Sequence, residues 1–158
     1  MHNLSIMSNE IYYKITNAKE NHHGFQYKDG LNVLKEEFND NPNNHYGAGG
    51  LYFTDVKNIF RFLNYGIYLR EVILPINDSN FRMVVDENKY RANMIILGKK
   101  YGLDKIETIK MLIEKGADIH VDNDFALRYS ASIGYLEVVN YLIERGANVY
   151  ADDDYAQM

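Results

Sequence analysis

Cysteine is absent from this chain of 158 residues, which excludes disulfide staples, thiolate metal sites and a cysteine nucleophile. Long apolar runs are absent too. The longest, Met94 to Leu97, falls far short of a membrane span, and the amino terminus lacks the basic flank, apolar stretch and small-residue cleavage site of a signal peptide. No membrane association is expected, and a cytoplasmic location is. Basic charge is not in excess: 17 Lys and Arg stand against 22 Asp and Glu, for a net charge of -5 and a pI near 5.5. Affinity for nucleic acid is driven by clustered Lys and Arg, so nucleic acid is not expected as a partner and another protein is. Metal ligands at a workable spacing are lacking as well. His22 and His23 are adjacent, so on a strand they point to opposite faces, and His2, His45 and His120 stand at no ligand spacing from them. No metal site and no cofactor are expected.

What is present is an ordinary folding composition, with 46% hydrophobic and 25% charged residues, together with 18 asparagines and 14 tyrosines, the bias of an A+T-rich genome. Its most informative feature is an internal repeat. Leu112-Ile113-Glu114-Lys115-Gly116-Ala117-Asp118-Ile119-His120 returns thirty residues later as Leu142-Ile143-Glu144-Arg145-Gly146-Ala147-Asn148-Val149-Tyr150. Val121 to Ala126 is echoed in turn by Ala151 to Ala156. A fixed period of this size marks a solenoid, in which each unit is too small to close a core and stacks on its neighbours.

Within one period the apolar positions fall at helical spacing in two blocks, Phe125/Ala126/Leu127/Ala131 and Leu136/Val138/Val139/Leu142/Ile143, with Gly134 between them. Two short antiparallel helices follow. Gly146 stands where a left-handed residue ends the second, and an Asp-rich turn leads onward. The stretch Gly134-Tyr135-Leu136-Glu137-Val138-Val139-Asn140-Tyr141-Leu142-Ile143-Glu144-Arg145-Gly146-Ala147-Asn148 resembles the ankyrin repeat, with its Gly between helices, Val-x-x-Leu-Leu core and closing Gly-Ala-[Asp/Asn]. The usual Thr-Pro-Leu-His start is replaced by Phe125-Ala126-Leu127-Arg128-Tyr129, a departure also found in the ankyrin proteins of giant amoeba-infecting viruses, which this chain looks like. The expected fold is an α+β amino-terminal domain over residues 1–88, followed by an all-α ankyrin solenoid over 89–158. That solenoid divides into a divergent first repeat at about 89–120, a full repeat at about 121–150 and the start of a third at 151–158. The first helix of the divergent unit is drawn from Tyr90, Met94, Leu97 and Tyr101, which share one helical face.

The first ninety residues read as strands around Tyr12 and Ile15, Phe25 to Tyr27, Leu51 to Thr54 and Tyr68 to Leu74. Asp55 is placed to cap a helix from Val56 to Leu63 that turns Val56, Ile59, Phe60 and Leu63 inward. Asn39 to Asn44 and Gly47 to Gly50 read as one surface loop. His23-Gly24, then Gly49-Gly50-Leu51-Tyr52-Phe53-Thr54-Asp55, then Glu71-Val72, is similar to the motif order of ADP-ribosyltransferases of the poly-ADP-ribose polymerase type. That resemblance implies ribose orientation for His23, a backbone contact for Gly24 and ring stacking for Tyr52. The family's later glutamate has only Asp86-Glu87 as a counterpart.

The function expected is non-enzymatic: a viral protein, acting in the host-cell cytoplasm, that binds a host or viral protein through its repeat surface. The residues expected to touch the partner are the repeat tips Asp122, Asn123 and Asp124 with Asp152, Asp153 and Asp154, and the neighbouring Arg128 and Tyr129. The alternative is an ADP-ribosyltransferase-like first domain, active or degenerate, that the repeats target. In a third reading the first domain simply caps the first repeat.

Overall fold

Short runs of aromatic and β-branched residues, which suit a pleated and half-buried surface, set the first half of the fold. The computed structural model describes residues 10–43 and 48–150. Its strands are β1 (Tyr12–Thr16), β2 (Asn21–His22), β3 (Phe25–Gln26), β4 (Gly30–Val33), β5 (Leu51–Phe53), β6 (Tyr68–Ile73), β7 (Met83–Asp86), β8 (Lys89–Ala92) and β9 (Met94–Gly102). A 3-10 helix, Val56–Tyr65, lies between β5 and β6, and α1 (Ile106–Glu114), α2 (Val121–Ser132) and α3 (Leu136–Glu144) follow β9. The strands expected around Tyr12, Phe25, Leu51 and Tyr68 all form, and Asp55 caps the 3-10 helix by accepting the Asn58 amide at 3.0 Å.

Two antiparallel sheets result, one ordered β1-β6-β9-β4 and the other β5-β8-β7, with β2 and β3 as a separate hairpin. They join at two places. β8 continues into β9 through Asn93, and Tyr13 of β1 exchanges both backbone hydrogen bonds with Thr54 beyond β5, each 2.8 Å. Past that bridge β1 and β5 separate, leaving a split between the sheets. Tyr27, Leu51, Phe53, Val72, Leu74, Ala92, Ile95 and Leu97 fill the space between the two sheets. The opposite face of the first sheet, with Tyr13, Ile15 and Leu69, packs on the 3-10 helix and on α1, α2 and α3 in a second, larger core.

The all-α ankyrin solenoid expected from residue 89 onward does not form. Residues 89–102, which were to supply the first helix of a divergent repeat, are β8 and β9, both belonging to the sheets. The cause lies in burial. β9 runs between β4 and β6, and Met94, Ile95 and Leu97 are all buried, so its apolar residues occupy both faces. A strand buried on both faces loses its alternation, and the spacing of Tyr90, Met94, Leu97 and Tyr101 mimics a helical stripe. Among the described residues the helical part is therefore one two-helix unit, α2 and α3, preceded by the lone α1.

The thirty-residue repeat is nonetheless exact in its backbone chemistry. Ala117 donates to the Leu112 carbonyl and Ala147 to that of Leu142, both at 2.9 Å, with Gly116 and Gly146 at φ of 114° and 99°. This is the Schellman ending, and glycine supplies its left-handed residue without strain. Each copy then closes an Asx turn, His120 N–H on the Asp118 carboxylate and Tyr150 N–H on the Asn148 amide oxygen.

Candidate functional site

The tip of the repeat lies at the start of α2. Asp122, Asn123 and Asp124 all take left-handed dihedrals, with φ between 54° and 57°. Such a run costs roughly 1–2 kcal/mol per residue for side chains with a Cβ, and Asp and Asn bear it best. Two devices hold it. Arg128 donates from Nε to the Asn123 carbonyl at 2.9 Å and from Nη2 to the Asp122 carbonyl at 2.8 Å. The Asp124 carboxylate accepts the Asn148 amide at 2.7 Å and lies 3.1 Å from His120 Nδ1, joining the tip to the next turn.

These positions divide the expected partner-binding residues. Asp122 and Asn123 are exposed at the tip, and Tyr129 is half-buried, stacked on Phe125 with ring centroids 5.7 Å apart. Asp124 is only 5% exposed, so its carboxylate is committed to the fold. Arg128 is half-buried and acts as the clamp on the tip carbonyls. Asp152, Asp153 and Asp154 lie outside the described residues.

A second site was only partly visible in the sequence. The split between β1 and β5 opens into a cavity of about 250 Å³ whose walls include Tyr13, Phe25, Tyr27, Tyr52, Phe62 and Tyr65. His22, His23, Glu36 and Lys89 also line it. Lys14, on β1, is 8% exposed, and its Nζ crosses the split to donate to the Tyr52 carbonyl at 2.7 Å. The amine also sits 4.6 Å from the centroid of the Tyr27 ring. Burial pushes its pKa down to about 7, since a charged amine loses its hydration there. Burial, then the charges of Lys14 and His23, holds His22 down at about 4 against the opposing pull of Glu20, so its imidazole is neutral. Its Nε2 accepts the Asn17 amide at 3.2 Å, which leaves the ring proton on Nδ1.

The loop before β5 is tied to the same region. Arg91, fully buried on β8, donates from Nε to the Asn39 carbonyl at 3.0 Å, and Asn39 donates its amide to Gly49 O at 2.8 Å. The loop expected from Asn39 to Gly50 is thus pinned at both ends, while Asn44 to Gly47 lies outside the described residues.

Of the residues singled out by the ADP-ribosyltransferase resemblance, His23 is exposed with a φ of 54° and lines the cavity together with Tyr52, and Gly24 follows with a φ of 80°. Asp86 is buried elsewhere, against Arg91 and Lys89. Glu71 accepts the Tyr101 hydroxyl at 2.9 Å. The carboxylate that does line the cavity is Glu36, whose Oε1 accepts the Gly49 amide at 3.2 Å. Sequence reasoning missed Glu36, and it missed Lys14 because nothing local to β1 shows which backbone the amine reaches. No cluster of His, Asp and Glu able to hold a metal occurs among the described residues, nor any helix long and apolar enough to cross a membrane.

Comparison with known proteins gives a consistent result. The ankyrin-repeat family pattern matches residues 122–154. The chain is 53% identical over 131 residues to "Uncharacterized protein R869" of Acanthamoeba polyphaga mimivirus, covering 82% of this chain and 95% of that one. It is 47% identical over 135 residues to "Putative ankyrin repeat protein R868" and 45% over 126 residues to "Putative ankyrin repeat protein R896" of the same virus. The chain spans 66% of the length of R868 and 38% of that of R896. A match covering 82% of this chain necessarily takes in most of the sheets as well as helices. No solved structure matches.

Proposed function

This chain belongs to the ankyrin-repeat proteins of the mimivirus kind, and from that premise we propose that it is a non-enzymatic binding protein whose α2 tip engages a viral or amoebal protein in the host-cell cytoplasm. The observation that carries the reading is the rigid presentation of Asp122 and Asn123. The Arg128 clamp and the Asp124 link hold two exposed side chains on a strained turn, so little conformational entropy remains to be lost on binding. The acidic tip suits a partner with a basic face.

The test uses the whole chain, because a cut after residue 88 would separate β7 from its partner β8. Wild type and an Asp122→Lys/Asn123→Lys variant are used to capture proteins from amoebal extract. The reading expects a partner retained by wild type and lost by the variant, and equal capture by both would refute it.

A second reading is supported by the placement of His23 and Tyr52 on one cavity that also holds Glu36. It would make the first domain a binder of ADP-ribosyl groups. Asp86, one of the two residues offered for the family's glutamate, is paired with Lys89 and Arg91, which weighs against catalysis. Titration with NAD, followed by amide shifts at His23 and Tyr52, distinguishes the two.

A further inference from the structure

We propose that the cavity between β1 and β5 is a binding site for a small aromatic carboxylate, its ring among the tyrosines and its carboxylate on Lys14. The proposal is independent of the repeat-surface reading.

It starts from a contrast between two buried cations. Lys14 and Arg70 are directly opposite on β1 and β6, so they share one face of the sheet. Arg70, 1% exposed, has Asp29 and Glu20 as counter-charges. Lys14, 8% exposed, has a backbone carbonyl and an aromatic face, and among the described residues no carboxylate lies within ion-pair distance of it. A buried ammonium without an anion is costly, and the remaining N–H groups of Lys14 are available to a ligand oxygen. A carboxylate would supply both the charge and the acceptors.

The walls decide the rest of the ligand. Tyr27, Tyr52, Phe25 and Phe62 offer ring faces and edges, which favour a flat aromatic body. A volume of about 250 Å³ lies just below the usual range for drug-sized ligands, so the space encloses one substituted ring. One deeply buried cation matches a single negative charge. A phosphate would bring about two charges, and the other basic groups lining the cavity do not balance a second, since Lys89 is paired with Asp86, His22 is neutral and His23 is exposed.

The test is a titration of the full chain by calorimetry and by amide chemical shifts, with four probes: benzoate, benzyl alcohol, acetate and inorganic phosphate. Benzoate is expected to bind at least tenfold more tightly than each of the other three. It should shift the amides of Lys14, His22, Gly50 and Tyr52 and leave those of α1 and α3 in place. Lys14→Met should lose at least tenfold of the benzoate affinity at unchanged affinity for benzyl alcohol. The proposal is overturned if benzoate binds no better than benzyl alcohol or acetate, if the shifts lie elsewhere, or if Lys14→Met binds benzoate as wild type does. Tighter binding of NAD than of benzoate, read from the titration with NAD, would also overturn it and favour the ADP-ribosyl reading. The probe ranking and the wild-type shift map decide the matter even where the variant does not fold.

Discussion

Lys14 makes the stability of this protein depend on pH in a direction opposite to that of an ion-paired lysine. Its amine titrates near 7 in the fold and near 10.5 in the unfolded chain, with burial as the cause. Between those values the unfolded state binds a proton that the native state does not, so stability rises with pH, at about 1.4 kcal/mol per pH unit for one full proton. Below pH 7 both states are protonated and the whole burial penalty is felt. Allowing for half-occupancy at pH 7, the gain from pH 7 to pH 9 is about 2 kcal/mol. The groups facing the amine do not reproduce this slope. His22 is already neutral and burial holds Tyr27 and Tyr52 protonated, while Arg70 opposite on β6 and His23, Glu36 and Lys89 of the cavity walls are common to wild type and a Lys14→Met variant. Urea unfolding of wild type and Lys14→Met, followed by circular dichroism at pH 7, 8 and 9, isolates the term. The difference between the two curves should change by about 2 kcal/mol across that interval. A difference constant to within about 0.5 kcal/mol would show that the amine is hydrated in the fold and would refute the burial argument.

Other positions separate fold from surface. Asp124→Ala removes a buried charged acceptor from the Asn148 amide and should cost about 2–3 kcal/mol in urea, whereas Asp122→Ala, at the exposed tip, should stay within about 0.5. Equal effects would mean that the tip does not bear on the next turn. Asp55→Ala loses the cap on Asn58 and the hydrogen bond from Tyr90 OH, 2.9 Å long, for about 2 kcal/mol by the same measurement, and a loss under about 0.5 would contradict the cap. Gly66→Ala would place a Cβ 2.1 Å from the Thr16 carbonyl oxygen and 2.2 Å from its carbon, both backbone atoms. A loss of at least about 3 kcal/mol or a failure to accumulate folded protein is expected, and a melting temperature like that of wild type would contradict the packing there.

What could be read from the chain depended on whether the responsible contact was local. The Gly116 and Gly146 endings, the Asp55 cap and the inward face of Ile59, Phe60 and Leu63 are set within one or two turns, and each appears where the spacing puts it. β9 was misread as a helix because two neighbouring strands bury both of its faces, a fact of tertiary pairing that erases the period of two. Lys14 was passed over because its partner, the Tyr52 carbonyl, is 38 residues away across the split between sheets. Asp124 illustrates the opposite error. Its Asp-rich setting suggests a surface tip, yet its carboxylate is buried against Asn148, 24 residues on, while its neighbour Asp122 stays exposed.

The described two-helix unit and the single helix before it do not close a core of their own, since an ankyrin-type unit buries its apolar face against a neighbour. Here the neighbour is the sheet domain. The 3-10 helix packs on α2, and Ile59 and Phe60, both 0% exposed, share a core with Leu112, Ala126, Leu127 and Leu142 of the helices. A backbone bond reinforces the join, with Asp118 donating to Lys57 O at 3.2 Å. With so much of the helices' apolar face buried on the sheet domain, neither part can lose its partner and keep its own core. The expectation is a single unfolding transition in urea, with far-ultraviolet circular dichroism and the fluorescence of the 14 tyrosines coinciding at one midpoint. Two separate midpoints would show that the 3-10 helix does not cap the repeat and that the two halves are independent.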